Sequence, residues 1–97
     1  MAFKIVVSKK AQVEIENALE YYSEINIKLA SKFYLALNET YSKIEINPYY
    51  QIKIKNYRSL SISKFPFLVI FVIEKDKKLV KILSCFHTSR NTKKYPK

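Results

Sequence analysis

Glycine and tryptophan are absent from this 97-residue chain, cysteine and histidine occur once each, and only eight residues are acidic. Each shortage excludes something. A P-loop or a dinucleotide-binding fingerprint needs glycine where the backbone approaches a phosphate, so neither is present. Turns have to be built from Asn, Asp, Pro and Lys instead. Cys85 has no partner for an internal disulfide, and with His87 as the one histidine there is no zinc-ligand spacing, so no metal or cofactor is expected. Paired carboxylates and a nucleophile elbow are also missing, which disfavours hydrolase and NTPase classes. The longest apolar run, Phe65 to Ile73, falls far short of the roughly 20 residues that cross a bilayer. The opening Met-Ala-Phe-Lys-Ile-Val-Val-Ser lacks a signal-peptide layout, and a cytoplasmic protein is the expectation.

Enough is present to fold. With 48% hydrophobic and 14% aromatic residues the chain can bury one core, and residues 1–97 read as a single domain with a short basic C-terminal tail. The net charge of +10 is lopsided. Residues 1–50 balance six lysines against six glutamates, whereas residues 51–97 set ten lysines and two arginines against Glu74 and Asp76 alone. A cationic excess confined to one half suits a polyanionic partner, nucleic acid or an acidic protein segment.

Phe3–Val7 is a short β-branched segment, and Ser8 is placed to cap a helix beginning at Lys9. Ala11, Ile15, Ala18, Tyr22 and Ile25 recur at spacings of four, three, four and three, which makes the first helix amphipathic. After Asn26, the run Ala30, Phe33, Leu37, Tyr41 and Ile44 repeats that pattern as far as Asn47-Pro48, where proline ends the helix. So short a connection makes the two helices an antiparallel hairpin. The period then changes to two. Arg58, Leu60 and Ile62 alternate with serines over Tyr57–Ser63, and the apolar stretch Phe67–Ile73 reads as a central strand. Glu74–Lys78 forms a polar hairpin loop, and Leu79–His87 alternates with Val80, Ile82, Ser84 and Phe86 on one side. The expected fold is α+β, with the helix hairpin packed on a mostly antiparallel four-stranded sheet in the order β-α-α-β-β-β.

Two groups of residues carry candidate chemistry. From Asn47 to Arg58 tyrosines alternate with cations, a mixture in which aromatic rings stack on bases while Lys53, Lys55 and Arg58 meet phosphates. The two lysines equally suit a solvated strand edge. Arg58 shares a face with Leu60 and Ile62, where a guanidinium is costly unless it meets an anion. His87-Thr88-Ser89-Arg90 leads out of the last strand, and a histidine beside an arginine could move a proton and stabilise charge on a phosphate. A histidine at a strand end is more often a surface or hydrogen-bonding residue. Tyr95 in the tail could donate a proton or pack on the sheet. Cys85 reads as a core residue.

The opening strand, Ala11, Tyr21-Tyr22, Asn47-Pro48, Arg58, Phe65-Pro66-Phe67 and His87-Thr88-Ser89-Arg90 together resemble the RelE/ParE superfamily of type II toxin-antitoxin toxins, from Phe3 to about Arg90. The resemblance implies a small basic toxin neutralised by an acidic, partly disordered antitoxin encoded beside it. RelE-like members cut messenger RNA in the ribosomal A site, and ParE-like members act on DNA gyrase. Leu60 and Phe67 stand where the ribonuclease branch carries further cations, and the Phe-Pro-Phe and His-x-x-Arg signatures are more similar to the ParE-like branch. A gyrase-directed toxin is therefore the first expectation, its target met by Lys53, Lys55, Arg58, Lys64, Arg90, Lys93 and Lys94. A RelE-like endoribonuclease is the alternative, with Arg58, His87, Arg90 and Tyr95 converging near one sheet edge as its catalytic group. In it, Arg90 would stabilise the phosphate while His87 or Tyr95 exchanged the proton as a ribose 2′-OH attacked. A non-toxic nucleic-acid-binding module is the third reading, carried by charge alone, and whether the chain performs chemistry stays open at this point.

Overall fold

The computed structural model describes residues 3–50, 52–54 and 57–88. Strand β1 (Lys4–Val7) leads into helix α1 (Lys9–Ile25), helix α2 (Ile27–Ile46) and a 3-10 turn at Pro48–Tyr50. Strands β2 (Ile52–Ile54), β3 (Tyr57–Ser61), β4 (Phe67–Glu74) and β5 (Leu79–His87) follow. They form one sheet in the order β1-β5-β4-β3-β2, with β1 parallel to β5 and every other pair antiparallel. This is the expected α+β arrangement. β2 adds a short edge strand to the four read from the sequence, and three residues are too few to display a period of two.

Capping residues set the helix limits. The Ser8 hydroxyl accepts from the Ala11 amide at 3.1 Å, as an N-cap should. Asn26 serves both helices at once. Its amide donates to the Tyr22 carbonyl at 2.9 Å and closes α1, while its side-chain oxygen accepts from the Lys28 amide at 2.8 Å and opens α2. One residue is thus enough to reverse the chain. Where a left-handed backbone is needed the chain uses lysine, at Lys64 (φ 69°) and Lys78 (φ 50°), because it has no glycine to offer.

The helices cover one face of the sheet. Ala11, Ala18 and Tyr22 of α1 and Phe33, Leu37 and Ile44 of α2 meet Ile62, Val69, Phe71, Val80, Ile82 and Cys85 in a single core. Its densest part is aromatic. Tyr22 and Phe33 lie 5.4 Å apart by ring centroid, and both pack on Phe65 and Phe67 at 5.2 to 6.1 Å, mostly edge to face.

One expectation is corrected. Phe71 pairs with Ile82 but Ile70 pairs with Ser84, so Leu83 is an extra residue in β5 and the strand's side-chain parity changes there. Val80 and Ile82 face the helices as read from the sequence, but beyond the bulge Cys85, opposite Val69, joins that core in place of Phe86. α1 holds the bulge. The Ser8 hydroxyl donates to the Leu83 carbonyl at 3.1 Å, and Glu14 accepts from the Ser84 hydroxyl and the Cys85 amide at 2.8 and 3.0 Å.

Phe33 is fully buried among three other rings. Replacing it in Phe33→Ala should cost about 3–5 kcal/mol, read as a fall in the urea unfolding midpoint.

Candidate functional site

Arg58 occupies the position opposite Phe71 on β3, in the same row as Leu60 and Ile62. The turn after α2 decides what it meets. Asn47 closes α2 by donating its amide to the Lys43 carbonyl, and its side-chain oxygen accepts from the Tyr49 amide at 3.1 Å. Pro48, which is buried, cannot extend the helix, and the Tyr49 carbonyl is presented to the sheet. Arg58 Nη1 donates to that carbonyl at 2.7 Å, and the guanidinium carbon lies 5.3 Å from the centre of the Tyr49 ring. Tyr49 in turn packs edge-on against Phe3 at 5.8 Å. The arginine therefore ties the exit of α2 and the start of β1 to the third strand.

His87 ends β5 opposite Phe67, its ring 5.3 Å from that phenylalanine and half-buried. It borders the aromatic core. The register separates it from Arg58: Phe71 and Phe67, their partners on β4, stand four residues apart, about 13 Å along the strand at 3.3 Å per residue. Their backbones therefore stand at different levels of the sheet. Arg90, Lys93, Lys94, Tyr95 and Lys55 lie outside the described residues, as does the side chain of Lys53, whose backbone pairs with Arg58. Lys64 is exposed in the turn between β3 and β4, where it lines a groove with Lys32, Glu39, Leu29 and Phe65.

A second polar cluster was not anticipated. Glu14, half-buried on α1, serves Ser84 and Cys85 as described above, and Tyr41 of α2 joins them in the core. The Tyr41 hydroxyl is buried without a hydrogen-bond partner among the described residues. Burial, and then its proximity to Cys85, hold its proton well above the usual tyrosine range. Burial and then the Glu14 charge push the Cys85 thiol up to about 12, which makes it an unreactive core residue as expected. The signal for Glu14 is its place between Ala11 and Ala18 on the buried line of α1, at spacings of three and four. No group of three or more His, Cys, Asp or Glu that could hold a metal occurs among the described residues, and none of their helices is long and apolar enough to cross a membrane.

Residues 5–92 match the family model described as the ParE toxin of the type II toxin-antitoxin system parDE. The chain belongs to the ParE toxin family. The ParE-like fold is also that of solved relatives. A chain of the chromosomal ParDE toxin-antitoxin system from P. aeruginosa superposes with a TM-score of 0.73 at 18% identity, over 89% of this chain and 96% of that one. A chain of the RelBE2 toxin-antitoxin complex of Mycobacterium tuberculosis gives 0.64 at 13%, over 90% and 99%. A free, doubly substituted mutant of the E. coli toxin RelE gives 0.59 at 9%, over 95% and 90%. No curated protein matches the sequence. The residues that carried the resemblance thus point to the ParE side of the superfamily, and in this ParE-family chain Tyr21-Tyr22 and Phe65-Pro66-Phe67 meet around one aromatic cluster.

Two outcomes follow for these groups. Arg58→Ala should lower stability by about 2 kcal/mol, the scale of a charged hydrogen bond, with Arg58→Lys recovering only part of it, as chemical denaturation would measure. The folded pKa values of Cys85 and Tyr41 are raised, while in the unfolded chain these groups lose their protons near 9 and 10. The stability gained by keeping both neutral is therefore complete below about pH 9 and is lost as pH rises through about 12. Urea midpoints measured from neutral to strongly alkaline pH should show that fall, and Cys85→Ala should make it shallower.

Proposed function

We propose that this ParE-family chain is a cytoplasmic growth-inhibiting toxin that acts on DNA gyrase by binding, performs no chemistry of its own, and is neutralised by an acidic antitoxin encoded beside it. The separation of Arg58 from His87 carries this reading. Phosphodiester cleavage needs a proton-transfer group and a cation around one phosphate, within hydrogen-bond reach of it. Here the described candidates stand at different levels of the sheet, the arginine against Tyr49 and the histidine against Phe67. Phe67 is a core residue and Leu60 packs against the core, so neither position adds a cation.

The antitoxin follows from charge and from relatives. A chain of +10 attracts an acidic segment from a distance, which speeds association and selects partners of opposite sign. The P. aeruginosa and M. tuberculosis relatives come from the ParDE system and the RelBE2 complex respectively, both toxin-antitoxin pairs.

Induction of the chain in bacteria without its antitoxin, followed within minutes by pulse-labelling, tests the target. DNA synthesis should fall first while translation continues, purified chain should inhibit gyrase supercoiling, and His87→Ala should leave growth arrest intact. A first fall in translation, lost on His87→Ala, would instead favour the RelE-like ribonuclease, with Arg90 and Tyr95 as its further candidates.

A further inference from the structure

Five of the described lysines gather at one end of the sheet. The turn Lys75–Lys77 joins β4 to β5 beyond their last paired residues, Glu74 and Leu79, and Lys78 closes it with a left-handed backbone (φ 50°). β1 enters alongside: the Lys4 amide donates to the Lys78 carbonyl at 2.9 Å, and Lys4 pairs with Leu79. Val80 and Ile82 face the helices, as do Ile5 and Val7, so Lys4 and Lys81 alternate onto the face of the sheet that the helices leave uncovered. Lys4, Lys75, Lys77, Lys78 and Lys81 are all exposed. Two carboxylates, Glu74 and Asp76, stand among them. Glu74 is taken by Lys77 and Lys81 at 3.9 and 3.6 Å, whereas Lys4, Lys75, Lys78 and Asp76 have no ion pair among the described residues. The last turn of α2, which meets β1 through the bond from the Phe3 amide to the Glu45 carbonyl, adds Lys43 and Glu45, and these cancel. Asn accepts a left-handed backbone more readily than Lys does, yet a lysine holds that position at the tip.

We propose that this lysine cluster docks on the phosphate backbone of duplex DNA, whatever the base sequence. Charge density selects the partner. From β1 over β5 to β4 the cluster measures about 10 Å, two interstrand steps of roughly 4.8 Å. Over that length duplex DNA presents about six phosphates, at one charge per ~1.7 Å, and a single strand about three. An extended acidic segment offers at most one carboxylate per ~3.3 Å, and alternate side chains point away. Of these partners only the duplex has a phosphate for each lysine. Shape and composition agree. No aromatic residue belongs to the cluster, so it lacks the stacking platform of a single-strand site, and lysine is depleted from the cores of protein interfaces. A patch about 10 Å wide reaches across the roughly 12 Å major groove of B-form DNA, whereas the A-form major groove of RNA is deep and narrow. Phosphate contacts carry no sequence information, so the docking is general rather than site-specific. The cluster is separate from the residues assigned to gyrase above and does not depend on that target.

The experiment titrates labelled DNA duplexes of about 20 base pairs, in two unrelated sequences, with the purified full chain from about 0.05 to 0.2 M salt, read by fluorescence anisotropy. Both sequences should bind alike, and affinity should fall steeply as salt rises, because each contact between lysine and phosphate releases counterions. Lys75→Gln combined with Lys78→Asn, which puts a residue tolerant of the left-handed backbone at the tip, should weaken binding about tenfold and reduce the salt slope by about two. Lys9→Gln combined with Lys10→Gln removes the same charge at the far end of β1 and should leave the slope unchanged. Asp76→Asn should tighten binding severalfold, a gain that a misfolded chain does not give. The proposal fails if neither duplex binds at the lowest salt, if the Lys9 and Lys10 pair lowers the slope as much as the tip pair, or if Asp76→Asn leaves affinity unchanged. Tighter binding of single-stranded DNA, duplex RNA or polyglutamate than of duplex DNA overturns it too.

Discussion

Burial of Tyr22 and Phe33 against Phe65 and Phe67 is the contact on which the arrangement depends. Those four rings come from α1, from α2, from the turn after β3 and from β4, so one cluster joins all four segments. Aromatic residues bury more area per side chain than any others, and in a chain of 97 residues this cluster helps fix the hairpin on the sheet. His87 touches its rim through Phe67.

The second constraint is polar and local. Leu83 breaks the ladder between β4 and β5, and a bulge leaves backbone groups that need partners. Ser8 and Glu14, at the N-cap and in the second turn of α1, supply them. The same bonds lock α1 in position along β5 and turn Cys85 into the core beside Tyr41. A half-buried carboxylate is retained because its oxygen satisfies two donors that would otherwise be orphaned. Function is affected indirectly. The register that this bulge permits, together with the pairing of β3 on β4, keeps Arg58 and His87 at different levels of the sheet.

Much of the molecule was legible in the sequence. Two helical periods separated by Asn26, a change to period two, a proline stop at Pro48 and an unbroken apolar strand at Phe67–Ile73 determined the order and type of the main elements, because amphipathic spacing states which face of each element must be buried. The N-cap at Ser8, the core placement of Cys85 and the shared face of Arg58, Leu60 and Ile62 followed from the same local rules. The absence of glycine fixed in advance that its left-handed turns would fall on other residues. Recurrence of a known order of short motifs identified the superfamily.

Register, by contrast, belongs to the tertiary structure alone. Whether β5 carries an extra residue depends on donors and acceptors brought from α1, some seventy positions away in the chain, and no local pattern encodes that. The β2 edge strand exists because β3 offers it a ladder to join. Arg58 reads in sequence as a cation awaiting an anion, yet the turn after α2 delivers a carbonyl and a ring to it. The distance between Arg58 and His87 could be known only once both were set against β4. Sequence determines what each segment must bury. The fold decides which side chains then meet, because that depends on how surfaces far apart along the chain satisfy one another.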